Sequence, residues 1–142
     1  MIKGIQKIEG NIFMDNRGTI HEIFKSYAVQ SVTHTTALKN TLRGIHMQEW
    51  NRIIYVARGK ILAGFYNEST GQKVQIPMGK GDAYLVDKGI GNSYLALEDT
   101  EYFYFNTEDY DESKTRTVSY KKFEWPVKKP IVSKKDEEAT SI

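Results

Sequence analysis

The chain has 142 residues, a net charge of +2 from 20 basic and 18 acidic side chains, and no cysteine. The length favours one domain over residues 1–142. The charge balance argues against a nucleic-acid binder, and the lack of cysteine excludes thiol nucleophiles and disulfide scaffolds. With neither an apolar leader nor an apolar run of about 20 residues, the sequence favours a cytoplasmic protein with no membrane partner.

Short runs with strand-like alternation, separated by turn signals, follow one another along the chain. They cover residues 2–8, 11–14, 19–24, 28–36, 42–48, 52–58, 60–66, 73–77, 83–86, 92–97 and 101–106. The three runs between 52 and 77 predict a meander, and residues 114–125 predict a final strand or a short helix. About ten strands at this spacing are typical of a barrel or sandwich, so we expect an all-β jelly roll that can hold a small ligand.

The histidines of the chain are His21, His34 and His46. Their spacing contains no His-x-His pair, so the sequence predicts no metal site. His21 and His34 have the simpler interpretation of ordinary strand residues. His46 lies in the segment 42–48, Leu-Arg-Gly-Ile-His-Met-Gln, where a bulge at Gly44 would bring Arg43 and His46 to one cavity.

Several motifs occur in a fixed order. They are Asp-x-Arg-Gly at 15–18 with Glu22, the segment 42–48, Glu-Tyr-Phe-Tyr at 101–104 with Tyr110, Trp-Pro at 125–126, and Ser-Lys-Lys-Asp at 133–136. Together they resemble the dTDP-4-dehydrorhamnose 3,5-epimerases over nearly the whole chain. The resemblance implies a cupin jelly roll that uses no metal or organic cofactor. It also implies a homodimer with exchanged N-terminal strands, and inversion of carbons beside the 4-keto group of a nucleotide-linked 6-deoxyhexose.

The resemblance assigns proton transfer to His46, Asp136 and Tyr110. Removal of a proton beside a ketone needs a base that titrates near neutral pH, which an imidazole supplies. Asp136 would bond the far ring nitrogen of His46 and bring the lysine-rich tail, about 127–142, back onto the barrel. The alternative is that Asp136 lies in a solvated tail. Tyr110 matches the acid of the family, since a phenol is protonated at neutral pH.

The remaining predicted site residues bind substrate. Arg52 stands where the family has a lysine and would hold the enolate oxygen together with Arg43. Arg17 is the candidate for the diphosphate and Glu22 for the base or ribose, although Arg17 could instead brace its turn through Asp15 or Glu22. The further predicted substrate contacts are Gln48, Asn92 and Tyr104.

Three positions depart from the family pattern. Arg52 replaces a lysine, Asn92 replaces a histidine, and residues 67–69 lack an arginine. Because the predicted base and acid are retained, we expect an epimerase of surface-polysaccharide sugar biosynthesis with a shifted substrate. It would invert C3, C5 or both of a 4-keto-6-deoxyhexose. The alternatives are a nucleotide-sugar 3,4-ketoisomerase and a nucleotide-sugar-binding cupin without turnover.

Overall fold

A computed structural model describes residues 2–139 and folds them mainly into strands. The strands are β1 (Ile5–Ile8), β2 (Asn11–Asp15), β3 (Gly18–Glu22), β4 (Ser31–Ala37), β5 (Leu42–Gln48), β6 (Arg52–Arg58), β7 (Lys60–Asn67), β8 (Gln72–Gly79), β9 (Ala83–Val86), β10 (Gly91–Ala96), β11 (Thr100–Asn106) and β12 (Thr115–Thr117). Two 3-10 turns, Glu112–Lys114 and Tyr120–Lys122, and one short helix, α1 (Lys134–Glu138), follow β11. The end of the predicted tail, 140–142, lies outside the described residues.

Ten of the strands form two five-stranded antiparallel sheets. The first has the order β1-β9-β6-β11-β4 and the second the order β12-β5-β10-β7-β8, while β2 and β3 form a separate hairpin. Buried side chains from both sheets, such as Ile54 and Val56 from one and Phe65 and Tyr94 from the other, meet in one core. The predicted all-β jelly roll is confirmed. None of the helices among residues 2–139 is long and apolar enough to cross a membrane.

The predicted meander through β6, β7 and β8 is wrong at its first connection. β6 pairs with β9 and β11, whereas β7 pairs with β8 and β10 in the facing sheet. Gly59, between β6 and β7, has φ +86°, and a Cβ there would lie 2.4 Å from the carbonyl oxygen of Asp99. Glycine therefore allows a tight turn that carries the chain from one sheet to the other. Both strands are alternating and largely apolar, so their local pattern does not distinguish the two sheets.

The interior changes from apolar to polar along the strands. On β6 the inward positions alternate, beginning with Arg52 and continuing with Ile54 and Val56, which belong to the core. On β11 the matching row is Tyr102, Tyr104 and Asn106. Because side chains two apart share a face of a strand, one end of the barrel interior is packed and the other end is polar.

Residues 118–139 cover the outside of the second sheet and then return to β5. Val118, Phe123 and Trp125 pack on the outward side chains Ile45 and Met47. The backbone N–H of Leu42 then donates to the carbonyl of Ile131 at 2.9 Å. This run ends in α1, which lies beside β5.

Candidate active site

A bulge in β5 brings Arg43 and His46 to the same cavity. In the pairing with β10, His46 lies opposite Asn92 and Arg43 opposite Tyr94, so β5 carries one extra residue. Gly44 lies in this bulge with φ +107°, and a Cβ there would be 2.5 Å from the carbonyl oxygen of Asn92. Only glycine fits this backbone position. The cavity has a volume of about 250 Å³ and lies at the polar end of the barrel.

His46 is hydrogen-bonded to a buried carboxylate from the tail. Its Nε2 lies 2.8 Å from Asp136 Oδ1, and the Gly44 N–H donates to Asp136 Oδ2 at 3.0 Å. An ionised carboxylate only accepts hydrogen bonds, so Nε2 carries the proton and Nδ1 of the neutral ring is a free base. The His46 side chain is 32% exposed, whereas Asp136 is 4% exposed. The pair therefore resembles a general base whose ring is oriented by a carboxylate.

The pKa of Asp136 is lower than that of an ordinary aspartate. Burial raises the pKa, but the hydrogen bond from His46, the charge of His46, the Gly44 N–H and the charge of Lys135 together outweigh it. The carboxyl is therefore ionised at neutral pH and keeps the proton of His46 on Nε2. The Asp136 N–H donates to Ser133 Oγ at 3.1 Å, which caps α1 and fixes the carboxylate.

Arg52 places a buried cation at the cavity wall. It is 5% exposed, its guanidinium carbon lies 3.9 Å from the centroid of the Tyr104 ring, and its nitrogens donate to Asn92 and Asn106. Arg43, at the bulge, lines the same cavity and makes a long hydrogen bond of 3.5 Å to the carbonyl of Thr36. Two positive charges thus face one space.

Two predicted tyrosines also line the cavity. Tyr104 lies inside it, where burial raises the pKa of its phenol and the charge of Arg52 offsets part of this effect. Tyr110 lies at the rim, is 58% exposed, and its ring makes an edge contact with Trp50 at 5.8 Å. Both phenols therefore line the same cavity as His46 and Arg52.

Gln48 lines the cavity, whereas Asn92 lies behind its wall. Asn92 is buried, and its Nδ2 donates to the carbonyl of His46, to Gln48 Oε1 and to the carbonyl of Ile90. Its Oδ1 accepts from Arg52 and from the Tyr94 hydroxyl. The sequence predicted that Asn92 contacts the substrate directly. In the structure, both polar atoms of its side chain bond other protein groups, and the residue does not line the cavity.

Arg17 and Glu22 lie on the β2–β3 hairpin and not among the described residues that line the cavity. Arg17 is 84% exposed at its side chain and donates from Nε to Asp15 Oδ2 at 3.1 Å. Glu22 accepts from Asn11 Nδ2 at 3.1 Å. In this chain, therefore, Arg17 adopts the turn-bracing arrangement that was its alternative interpretation.

The other histidines lie apart from the cavity. The His21 ring contacts Tyr55, and His34 Nε2 lies 2.8 Å from Glu101 Oε1. Between residues 2 and 139, no three His, Asp or Glu side chains are grouped as metal ligands would be.

Comparison with known proteins decides the family. The sequence profile described as dTDP-4-dehydrorhamnose 3,5-epimerase matches residues 1–142. The chain belongs to the dTDP-4-dehydrorhamnose 3,5-epimerase family. The chain is therefore an isomerase of the epimerase type. A search of curated proteins gives no match.

Solved structures agree with this family. The enzyme from Sulfolobus tokodaii, a dTDP-4-dehydrorhamnose 3,5-epimerase, is 27% identical with a TM-score of 0.91, over 99% of this chain and 92% of that one. ChmJ, a 3'-monoepimerase from Streptomyces bikiniensis in complex with dTDP-quinovose, is 24% identical with a TM-score of 0.90, over 99% and 84%. The Legionella pneumophila enzyme in complex with dTDP-4-keto-L-rhamnose is 20% identical with a TM-score of 0.88, over 99% and 88%. The last two comparisons show the shared fold.

Sequence reasoning on the epimerase motifs missed several residues of the cavity. Lys135, next to Asp136 in the matched tail motif, lines the cavity and binds Glu112 Oε1 at 3.1 Å. Its position in that motif, next to Asp136, could have indicated that it lies near the site. Thr33, Thr35 and Thr115 also line the cavity. They lie outside the quoted motifs, and β4 reaches the cavity only through its pairing with β11.

Proposed function

We propose that this epimerase inverts C3, C5 or both of a nucleotide-linked 4-keto-6-deoxyhexose in surface-polysaccharide sugar biosynthesis. The observation that carries the proposal is the His46–Asp136 pair, which shares a cavity wall with two arginines. Ligands of the same class, a dTDP-deoxysugar and a dTDP-ketosugar, occupy the ChmJ and Legionella structures. The cytoplasmic location expected from the sequence is part of this proposal.

Inversion proceeds in two proton transfers. Nδ1 of His46 takes the proton from the carbon beside the ketone, and the electron pair of the broken C–H bond moves to the keto oxygen to give an enolate. Arg52 and Arg43 stabilise the negative charge that develops on this oxygen. Tyr110 then donates its proton to the opposite face of the same carbon. The tyrosinate regains a proton and His46 loses one, so substrate and product are isomers.

The test is a panel of nucleotide-linked 4-keto-6-deoxysugars incubated with the protein in deuterated water and followed by NMR. Deuterium at C3 or C5 with inverted configuration is the expected result and identifies the carbon. Transfer of the carbonyl to C3 would instead identify a 3,4-ketoisomerase. Binding without incorporation of deuterium over hours would identify a binding protein, and either result would overturn the proposal.

We also propose a homodimer in which the hairpin supplies Arg17 and Glu22 to the site of the partner subunit. The hairpin exposes four large apolar side chains: Ile12, Phe13, Met14 and Ile20. Exposed apolar clusters of this kind mark protein interfaces. Arg17 also lies outside the cavity of its own subunit and has a charged side chain suited to a diphosphate.

A mixing experiment tests this arrangement. His46→Ala and Arg17→Ala subunits are each expected to be impaired. A hybrid dimer would contain one site with both native residues, so random mixing of equal amounts should restore about one quarter of the wild-type rate. Light scattering gives the mass of the assembly. A monomeric mass, or mixing that restores no activity in a verified hybrid, would contradict the proposal.

A further inference from the structure

The guanidinium of Arg52 is held from both sheets by two side-chain amides. Its Nε donates to Asn106 Oδ1 and its Nη1 to Asn92 Oδ1, each at 3.1 Å. Asn106 lies directly opposite Arg52 on β11, whereas Asn92 comes from β10 of the facing sheet. The guanidinium therefore spans the interior and cannot swing without breaking a bond to one sheet.

Both acceptors are neutral, which is unusual for a buried arginine. A buried charge is costly without a partner, and a carboxylate is the common partner. Among the ion pairs of residues 2–139, none includes Arg52. The Tyr94 hydroxyl also lies against the guanidinium and is likewise neutral, and Arg52 is one of the residues that line the cavity. The cation is fixed in place while its charge remains available to a ligand.

Asn106 also connects the cation to the rim. The same Oδ1 accepts from Trp50 Nε1 at 3.1 Å, and the Trp50 ring makes the edge contact with Tyr110. One amide oxygen thus orders Arg52 and the aromatic ring beside the proposed acid. Asn106 is buried and does not line the cavity, so its effect is exerted through these neighbours.

We propose that Asn106 and Asn92 are positioning residues that fix Arg52 without cancelling its charge. The enolate oxygen then meets a preorganised cation, and no carboxylate competes with it. This inference rests on the proposed function, because it names how the enolate is stabilised. It also explains why arginine at position 52 occurs together with asparagine at position 92, since Nη1 of the longer side chain reaches the amide of the facing sheet.

The test is Asn106→Asp, which keeps the acceptor oxygens and adds a charge. Ser31 Oγ accepts from Asn106 Nδ2 at 3.3 Å and now donates to the carbonyl of Glu108 at 3.0 Å, and its hydroxyl can turn from that exposed carbonyl to donate to the new carboxylate. Asn92 is less suitable because its Nδ2 faces three acceptors. The matched control is Asn51→Asp, because Asn51 Oδ1 accepts from the Lys88 N–H, and the guanidinium of Arg52 bonds Asn106 and Asn92 instead.

We expect deuterium exchange into the substrate to fall about 100-fold or more in Asn106→Asp. The unfolding temperature should stay equal or rise, because Arg52 gains a buried ion pair. Substrate dissociation constants should change little, since Arg52 faces the neutral keto group and the charged diphosphate is assigned to Arg17. Asn51→Asp should exchange at the wild-type rate. Wild-type exchange in Asn106→Asp would overturn the proposal.

Asn106→Ala separates positioning from a purely structural role. It frees the guanidinium but leaves its charge, so we expect less loss of exchange than in Asn106→Asp despite a lower unfolding temperature. Exchange rates that simply follow unfolding temperature across the wild type, Asn106→Asp and Asn106→Ala would overturn the inference.

A second measurement does not depend on whether Asn106→Asp folds. A ¹⁵N NMR signal from a slowly exchanging Arg52 Nε–H, present in the wild type and lost in Asn106→Ala, supports the inference. Absence of that signal in a folded wild type would contradict it. If the wild type exchanges no substrate protons, the proposed function fails. The Nε–H signal still tests whether the side-chain amide of Asn106 holds Arg52.

Discussion

His46 and Asp136 are 90 positions apart in the chain, yet their Nε2 and Oδ1 atoms are 2.8 Å apart. The contact joins the centre of β5 to a five-residue helix near the C-terminus. The base of the proposed reaction is therefore complete only when the tail has folded onto the barrel. Catalysis and docking of the tail should thus depend on the same carboxylate.

The Asp136→Asn variant tests this dependence. The amide can no longer stabilise an imidazolium and can hold His46 in the wrong tautomer, so we expect exchange of the substrate proton to fall about 10²- to 10⁴-fold. NMR in deuterated water measures the rate. Glu138→Gln is the control, because Glu138 lies on the same helix and forms an exposed ion pair with Lys134. An Asp136→Asn protein as fast as the control would remove Asp136 from the mechanism.

The stability of the protein should depend on pH through the same carboxyl. The pKa of Asp136 is lowered in the folded state, so its contribution is full above the unfolded pKa of about 3.9 and is lost as pH falls through the folded value. Urea unfolding of the wild type and of Asp136→Asn, measured between about pH 3 and pH 7, should give a difference in free energy that shrinks at the acidic end. A difference independent of pH would argue against an ionised Asp136 that stabilises the fold.

Tyr110→Phe should separate removal of the proton from inversion. His46 and Arg52 are unchanged, so deuterium should still enter the substrate, but the opposite face loses its proton donor. We expect incorporation with retained configuration and a fall in inversion of about 10²-fold or more, read from proton coupling constants. Tyr27→Phe, at an exposed ring that contacts Phe24, is the control. Normal inversion by Tyr110→Phe would assign the acid elsewhere.

Gly44→Ala should disrupt the bulge. A methyl group there meets the carbonyl of Asn92 at 2.5 Å in addition to the strain of φ +107°, so we expect a loss of about 3 kcal/mol or more in the free energy of unfolding. Gly71→Ala is the matched control, because Gly71 has φ +73° and a Cβ added there would meet nothing within 4 Å beyond its chain neighbours. Its cost should be about 1 kcal/mol. Equal costs at the two sites, measured by urea unfolding, would contradict the steric explanation.

The strands were predictable because their signal is local. The bounds expected at 42–48, 52–58 and 83–86 coincide with β5, β6 and β9, since alternation of side chains over a few residues reports one buried face. The bulge at Gly44 was predictable from equally local information. In a regular strand Arg43 and His46 would point to opposite faces, and a glycine between them allows the extra residue that brings them to one face. The order of the motifs predicted that Asp136 bonds His46. The alternation of side chains along the strands does not indicate this contact.

The sequence by itself determined the strands, the family and the proposed base with its carboxylate, because these follow from local periodicity and from motifs in order. Only the tertiary structure decided that β6 and β7 lie in facing sheets, that Asn92 stands behind the cavity wall, and that Asn106 holds Arg52. The reason is that pairing of strands and hydrogen bonds between facing sheets join residues distant in the chain. Their geometry depends on how the two sheets pack, and no local pattern of residues encodes that packing.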